Sequence, residues 1–388
     1  GVTPITDCAV VQANAAHTPM KALITARAQT SQLGGGATKG DRAMQAFVTV
    51  IPKIADGFDN AIFANGTLTV RNNHTVYGDK GNDADIYSNA SVVCPNGSQQ
   101  TYQGNIYSQE NIKFDGQCSA LGDVWAKGTV TLGHNQIVVG GQITSSTSSV
   151  SVESTVNGPI TAGTTIDADC SKAICIENHP QGPPPQQPFP QMPLSGMTAW
   201  AAAPPVGPGY APPIEYSDCD TVADAIAAYA QGSAPGQVVH TPCAVAFTGN
   251  GNGKGSAKSV PMTNDLVIYA DGGFSSSQQV TFTSGDHQPH RLYWIVPYLG
   301  TEQCNNPGNI DISNNFAIGN MIDMMVYTPC DITIDNHSAH FGQIYGGGNV
   351  TIDNKFDMTY QPLPMFGIDE ASLPLLSYDV DIIYKREV

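Results

Sequence analysis

The chain has 388 residues, of which 13% are charged, and its 33 acidic and 16 basic residues give a formal net charge of −17. Phosphate groups and anionic lipids are bound by clustered Lys and Arg, so this balance argues against nucleic acid and membrane surfaces as partners. The 40 glycines and 27 prolines, set among many β-branched and small polar residues, predict short strands joined by tight turns.

The N-terminal segment, residues 1–58, is predicted to be helical. Its two helical stretches would cover residues 9–32 and 41–58, with three consecutive glycines at 34–36 between them. Nowhere does the chain contain 18 consecutive apolar residues, so no transmembrane helix is predicted. The sequence begins at Gly1 without a signal peptide, and we expect that an export signal or an N-terminal anchor has been removed.

Residues 59–176 contain an internal repeat of 17–20 residues. Each unit begins with an apolar anchor, and a second apolar residue follows six or seven positions later. The first anchors are Ile86, Ile106, Val124, Ile143 and Ile160, and the second are Val92, Ile112, Val130, Val150 and Ile166. A unit this short cannot bury its own apolar edge, so copies must stack. The repeat predicts a right-handed parallel β-solenoid, and glycines ahead of the anchors are expected to supply positive φ angles at its corners.

Three units carry an aromatic residue directly after the first anchor, namely Tyr87, Tyr107 and Trp125. Residues at one repeat position stack in a solenoid, so the three rings should form a strip. Such a strip is a candidate surface for glycans. The alternative is that the rings face inward or are covered by a segment packed against them.

Residues 177–215 are rich in proline and predict an extended, semi-rigid linker between two solenoids. The second solenoid, residues 216–388, contains the same pattern of an apolar anchor followed by an aromatic residue, in Ile268-Tyr269 and Ile344-Tyr345. At the start of this range, Asp220 is expected to cap a short helix over residues 222–230, which would cover the open end of the second solenoid. Residues 378–384 predict a final strand.

The cysteines are spaced as expected for disulfides rather than for a zinc site. Cys94 and Cys118 are 24 positions apart, Cys219 and Cys243 also 24, and Cys304 and Cys330 are 26 apart. These separations are close to one repeat and predict bonds between neighbouring turns. Cys170 and Cys175 form a fourth candidate pair, and Cys8 is left unpaired. Disulfides indicate an oxidising compartment.

Two groups of polar residues are candidates for chemistry. Asp286, His287 and Arg291, with Asp271 nearby, would form the site of a polysaccharide-active enzyme if they converged in a groove. An ordinary polar loop is the preferred interpretation. Asp311, Asp335 and Asp353 follow one another at intervals of about one turn and are weak candidates for a Ca²⁺ site, with solvated corners as the preferred alternative. No other cofactor is predicted.

Several runs, including residues 82–87, 122–128, 268–273 and 356–362, resemble a group of bacterial, chiefly actinobacterial, surface proteins. This group is similar to type IV pilus-associated, pilin-like proteins and, more loosely, to the polymer-forming bactofilins. The resemblance implies a β-solenoid ectodomain at the cell surface, an N-terminal hydrophobic anchor that this sequence does not show, and no catalytic residues.

The sequence thus predicts an extracellular structural or scaffold protein, not an enzyme, which self-associates or joins a surface filament or pilus. A carbohydrate-binding adhesin and a polysaccharide-active β-helix enzyme are the alternatives. The sequence leaves open the partner, the oligomeric state, the role of Cys8, and whether the two solenoids stack into one or lie apart.

Overall fold

The computed structural model describes residues 20–30, 40–54, 57–78, 84–95, 97, 99–154, 156, 158–202, 209–232, 235–247, 258–276, 280–300, 304, 308–313, 316–335, 339–369 and 375–387. Cys8 lies outside these residues. The chain divides into two compact units, one formed by residues 1–57 and 369–388 and the other by residues 58–368. Among the described residues, no helix is both long enough and apolar enough to cross a membrane.

Strands dominate both units. Those of the first 176 residues are β1 (Met20–Thr30), β2 (Gly40–Ile54), β3 (Ile62–Ala64), β4 (Leu68–Val70), β5 (Asn73–Gly78), β6 (Ile86–Ser88), β7 (Val92–Cys94), β8 (Gln99–Tyr102), β9 (Ile106–Ser108), β10 (Ile112–Phe114), β11 (Gln117–Ala120), β12 (Val124–Ala126), β13 (Val130–Leu132), β14 (Ile143–Ser145), β15 (Val150–Val152), β16 (Ile160–Ala162), β17 (Ile166–Asp167) and β18 (Cys175–Ile176).

A 3₁₀ helix (Leu194–Thr198) and the short helices α1 (Ala199–Ala202) and α2 (Val222–Tyr229) occur in the remainder. Its strands are β19 (Ile214–Glu215), β20 (Gln237–Thr241), β21 (Val245–Phe247), β22 (Lys258–Met262), β23 (Leu266–Ala270), β24 (Phe274–Ser276), β25 (Val280–Ser284), β26 (His290–Ile295), β27 (Ile310–Ile312), β28 (Ala317–Ile318), β29 (Ile322–Thr328), β30 (Ile332–Asp335), β31 (His340–Gly346), β32 (Val350–Asp353), β33 (Phe356–Tyr360) and β34 (Leu375–Glu387).

The smaller unit is an antiparallel sheet in the order β1-β2-β34. The prediction of helices over residues 9–32 and 41–58 is therefore wrong wherever the structure describes those stretches. Local preference is overridden here because β2 pairs on one edge with β1 and on the other with β34, more than 320 positions along the chain. The predicted final strand is present, but it belongs to this sheet and not to the solenoid.

The larger unit is a parallel β-solenoid, as predicted. The first anchors of the repeat lie in register on β6, β9, β12, β14 and β16, and the second anchors lie in register on β7, β10, β13, β15 and β17. The first anchors are all at most 1% exposed. Inward-facing Ile and Val therefore form continuous ladders, and their burial is the main source of stability in the solenoid.

The two solenoid segments predicted from the sequence form one continuous solenoid in the structure. In the 11-stranded sheet the strands follow the order β17-β15-β13-β10-β7-β4-β32-β30-β27-β24-β21, so the first half meets the second where β4 pairs with β32. Strand β3 likewise pairs with β31, and β5 with β33. Eleven strands at about 4.8 Å spacing give a stack roughly 50 Å long. Within the solenoid, the chain therefore begins at the middle of the stack and winds to one end. It must then pass to the opposite end before it winds back to the middle.

The glycines ahead of the anchors do not have the positive φ angles that the sequence analysis assigned to them. They are required for a different reason, because the backbone of the preceding turn lies directly against them. A Cβ atom on Gly122 would lie 2.6 Å from the carbonyl oxygen of Gly104, and one on Gly158 would lie 2.1 Å from that of Gly141. Close approach of the backbones, not a left-handed conformation, selects glycine at these corners.

The two ends of the solenoid differ. Helix α2 covers one end, burying Val222 and Ile226 against the core, as predicted. Its N-cap is Thr221 and not Asp220, because the Thr221 carbonyl group accepts the first hydrogen bonds of the helix, from the amides of Asp224 and Ala225. The other end is formed by β17 and β18, and there Ile174 is 68% exposed.

Candidate functional site

One outward-facing position of the large sheet is aromatic along most of its length. We call this set of side chains the aromatic ladder. In stacking order its members are Tyr269, Tyr327, Tyr345, Phe63, Tyr87, Tyr107 and Trp125, with Ile295 in register between the first two. At the junction of the two halves, Phe63 stacks on Tyr87 with ring centroids 5.6 Å apart and on Tyr345 with centroids 5.5 Å apart. The ladder therefore joins the halves as well as the turns.

The proline-rich segment lies along this ladder. We call residues 177–202 the strap. In the first half its carbonyl groups accept hydrogen bonds from side chains of successive turns. The Ser146 hydroxyl donates to Gly182 O (2.8 Å), Gln109 Nε2 to Pro184 O (2.6 Å) and the Tyr87 hydroxyl to Pro185 O (2.7 Å). An extended segment without internal hydrogen bonds offers its carbonyl groups in this way. The predicted linker is thus packed against the solenoid and does not separate two domains.

The strap continues over the second half. The Tyr327 hydroxyl donates to Pro190 O at 2.8 Å and accepts from Met192 N at 3.1 Å, which fixes the strap beside the junction. Further along, Trp200 is fully buried, and its Nε1 donates to the Tyr269 hydroxyl at 2.9 Å. The strap therefore returns the chain from one end of the stack towards the other, which is what the order of the turns requires.

The strap covers part of the predicted aromatic strip. Tyr87, Tyr107 and Trp125 do stack in register, but Tyr87 is only 1% exposed, and burial raises the pKa of its hydroxyl. Tyr107 and Trp125 are half-buried. Burial, reinforced by Asp85 and Asp123, raises the pKa of Tyr107 to about 12. The strap occupies the space over Tyr87 that a glycan would need.

Four disulfides join the cysteine pairs that the spacing predicts, Cys94–Cys118, Cys170–Cys175, Cys219–Cys243 and Cys304–Cys330. Cys94 on β7 and Cys118 on β11 belong to consecutive turns, and both side chains are buried. The five-residue separation of Cys170 and Cys175 places that bond within the last turn beside β18. Disulfides of this kind persist in oxidising compartments.

The residues considered for catalysis lie at two separate places. Asp271 follows β23, and its Oδ1 lies 3.1 Å from His240 Nε2. Asp286 contacts His290 Nε2 at 2.8 Å, and Arg291 lies beside Asp265, which precedes β23. The five residues of β23 separate the two places by about 17 Å, at about 3.3 Å per residue. The structure therefore does not bring Asp271 together with Asp286 and Arg291.

The three aspartates considered for Ca²⁺ are not equivalent. Asp335 and Asp353 are register partners, whereas Asp311 pairs with Thr333, two residues earlier on β30. Arg71 Nη1 contacts Asp353 Oδ2 at 3.0 Å, and Asn354 Nδ2 donates to Asp335 Oδ1 at 2.7 Å. In the part of the chain that the structure describes, no group of three or more His, Cys, Asp or Glu residues has a geometry suited to a metal ion.

A polar groove of about 410 Å³ lies on a different side of the solenoid, where β33, β5 and β8 pair. Its walls are formed by Asn73, Thr75, Gln99, Thr101, Lys355 and Asp357, with the buried His74 beneath. The groove was not predicted, because the apolar anchors of the repeat indicate only two of the three strands in each turn. Alternation in segments such as Phe356-Asp357-Met358-Thr359-Tyr360 would have revealed the third strand.

No protein-family model and no curated protein matches this sequence. Among solved structures, the competence-associated pilin ComZ from Thermus thermophilus is 13% identical, with a TM-score of 0.38 over 94% of this chain and 81% of that chain. A similarity at this level carries no argument about this protein. The resemblance of its sequence to pilus-associated surface proteins therefore stays a prediction.

Proposed function

We propose that the chain is an extracellular structural protein that acts as a scaffold subunit of a surface assembly. The observation that carries this proposal is the contrast between the ends of the solenoid. Helix α2 covers one end, whereas β17 and β18 form the other, where Ile174 and Ile176 are 68% and 41% exposed. Exposed strand edges with apolar side chains pair readily with other chains. The second end therefore offers a surface for association.

The rest of the solenoid supports a mechanical role. Buried apolar ladders, three of the four disulfides and the strap connect one turn to the next. The disulfides support a location outside the reducing cytosol. Attachment to a pilus is the finer form of this proposal and comes from the sequence resemblance alone.

Sedimentation velocity and negative-stain electron microscopy of the oxidised protein test the proposal. We expect concentration-dependent oligomers that are lost when Ile174→Asp and Ile176→Asp are combined, because buried charges at the new interface would be unpaired. Met321→Asp is the matched control, since Met321 is 40% exposed but lies in the turn ahead of β29, away from the β17–β18 end. Monomers at every concentration, or oligomers that persist in the double variant, would contradict the proposal.

A further inference from the structure

We propose that the polar groove between β33, β5 and β8 is a binding site for a neutral glycan. This inference goes beyond the scaffold function and does not depend on it. The groove also differs from the predicted aromatic strip, because its lining residues lie on β33, β5 and β8, whereas the strip lies on β6, β9 and β12. The glycan site proposed here therefore lies on a different side of the solenoid from the aromatic strip.

The groove residues form ordered rows. Asp357, Thr75 and Thr101 are register partners on three consecutive strands, and Asn73 pairs with Gln99 in the row beside them. Adjacent strands are about 4.8 Å apart, so the hydroxyl, amide and carboxylate groups repeat at that interval. A flat array with regular spacing suits an extended ligand that presents a hydroxyl group at each step.

The polar groups of the groove are available for a ligand. None of the six side chains makes a hydrogen bond to another described residue of the chain. Elsewhere on the solenoid, polar side chains at corners are hydrogen-bonded to the neighbouring turn. Asn105 Nδ2, for example, donates to Asp85 Oδ1 at 2.9 Å. The groove therefore concentrates donors and acceptors that the fold itself does not use.

The charge of the groove selects the class of ligand. Lys355 and Asp357 give it one charge of each sign, and the remaining lining groups are neutral. The net charge of −17 repels polyanions, which excludes acidic polysaccharides and nucleic acid as preferred ligands. Amides and hydroxyls that can both donate and accept match the hydroxyl groups of a neutral sugar.

Tyr77 supplies an apolar platform at the edge of the groove. It lies two residues after Thr75 on the same face of β5, pairs in register with Thr359, and is 42% exposed. An aromatic ring with a free face can pack against the C–H face of a sugar ring while its hydroxyl stays in water. Small-molecule sites commonly combine such an apolar surface with a few orienting polar groups.

The proposal is tested with an array of neutral oligosaccharides, namely glucose, mannose, galactose and N-acetylglucosamine oligomers. Calorimetry then measures the affinity for any ligand found. Thr75→Val and Gln99→Ala should each weaken binding about tenfold, because ligand hydroxyls lose their partners. Thr69→Val is the matched control, since Thr69 lies in the same turn, is half-buried like Thr75, and faces outward from β4 in the other sheet. Valine keeps the preference for strand, so neither threonine variant should alter the unfolding temperature.

Tyr77→Ala should also weaken binding, whereas Tyr77→Phe, which keeps the ring, should not. Retained binding in Thr75→Val and Gln99→Ala would overturn the proposal, as would equal losses in Thr69→Val. Failure to bind any neutral oligosaccharide, or a preference for anionic ones, would also overturn it. The oligomeric state is measured separately on the same samples, so failure here is distinguishable from failure of the scaffold function.

Discussion

Glycine residues mark the corners at which successive turns of the solenoid come closest. At Gly158 the space for a side chain is taken by the Gly141 carbonyl group, whose oxygen would lie 2.1 Å from a Cβ atom. Backbone atoms cannot move aside as the end of a flexible side chain can. The corner is therefore sensitive to the addition of a single methyl group.

We predict that Gly158→Ala lowers the free energy of unfolding by about 1–3 kcal/mol, the range typical of overpacking. Gly182→Ala is the control, because no atom lies within 4 Å of the position of its Cβ. Chemical denaturation of the three proteins measures the difference. Equal stability of the Gly158→Ala variant and the natural protein would show that the turns can separate locally at little cost.

His74 is held in its neutral form by its surroundings. Its Nδ1 accepts a hydrogen bond from Phe356 N at 2.9 Å, and its Nε2 donates to the Arg71 carbonyl group. The side chain is only 3% exposed, and burial lowers its pKa below the ordinary value of 6.5. Protonation would place a hydrogen on Nδ1 opposite the amide hydrogen of Phe356.

This burial makes stability depend on pH. Because the pKa of His74 is lower in the folded state, its contribution to stability is present above pH 6.5 and is lost as the pH falls towards the folded-state pKa. We predict that His74→Gln reduces the loss of unfolding temperature between pH 7 and pH 5. The difference between the two pH profiles isolates His74 from other titrating groups, and parallel profiles would refute the prediction.

At the scale of elements, the strap connects turns that are far apart in sequence. Its carbonyl groups are bound by side chains of the first half at Pro184 and Pro185 and by Tyr327 of the second half at Pro190. Strap side chains contribute as well, because the ring of Phe189 stacks on that of Tyr327 with centroids 5.1 Å apart. The strap therefore acts as an outer clamp across the junction where β3 meets β31.

We predict that Tyr327→Phe loosens this clamp. The Pro190 carbonyl and the Met192 amide lose their buried partner, which costs about 1–3 kcal/mol. Hydrogen exchange should increase at strap amides near Met192, while exchange in the core strands is unchanged. Tyr77→Phe is the control, because Tyr77 is 42% exposed. Unchanged exchange at the strap would contradict the prediction.

At the scale of the whole solenoid, residues near the two ends of the chain form its middle. Strand β4 pairs with β7 on one edge and with β32 on the other, and its partners on β32 lie 282 positions away. The two halves are thus joined by backbone hydrogen bonds, by the stacked rings of Phe63 and Tyr345, and by the strap. Continuity of the peptide chain is not what holds them together.

We predict that the chain can be cut between the halves without separating them. A protease site inserted after Pro180, in an exposed stretch of the strap, allows cleavage into two fragments. The fragments should co-elute in size-exclusion chromatography and separate only in denaturant. Cleaved protein that elutes as two species in native buffer would show that neither the solenoid junction nor the pairing of β2 with β34 holds the fragments together.

The sequence by itself determined the repeat, its two inward anchors and the pairing of eight cysteines. These features are local, since each involves residues about one turn apart, and burial of Ile106 on Val124 requires only that neighbouring turns stack. It did not determine that residues 20–30 and 40–54 form strands, because the pairing partner of β2 is β34, from the other end of the chain.

Only the tertiary structure decided how the turns are ordered, where the strap lies and which polar residues form the groove. The junction between β3 and β31 joins positions about 282 apart, and a periodic pattern carries no information about which turn stacks on which. Much of the strap is bound through backbone carbonyl groups, which every peptide has. The residue types do not show which turns its buried side chains, such as Trp200, will contact. In the groove, Thr75 and Thr101 belong to consecutive turns of the first half, whereas Asp357 belongs to the second half and becomes their neighbour only when the halves join.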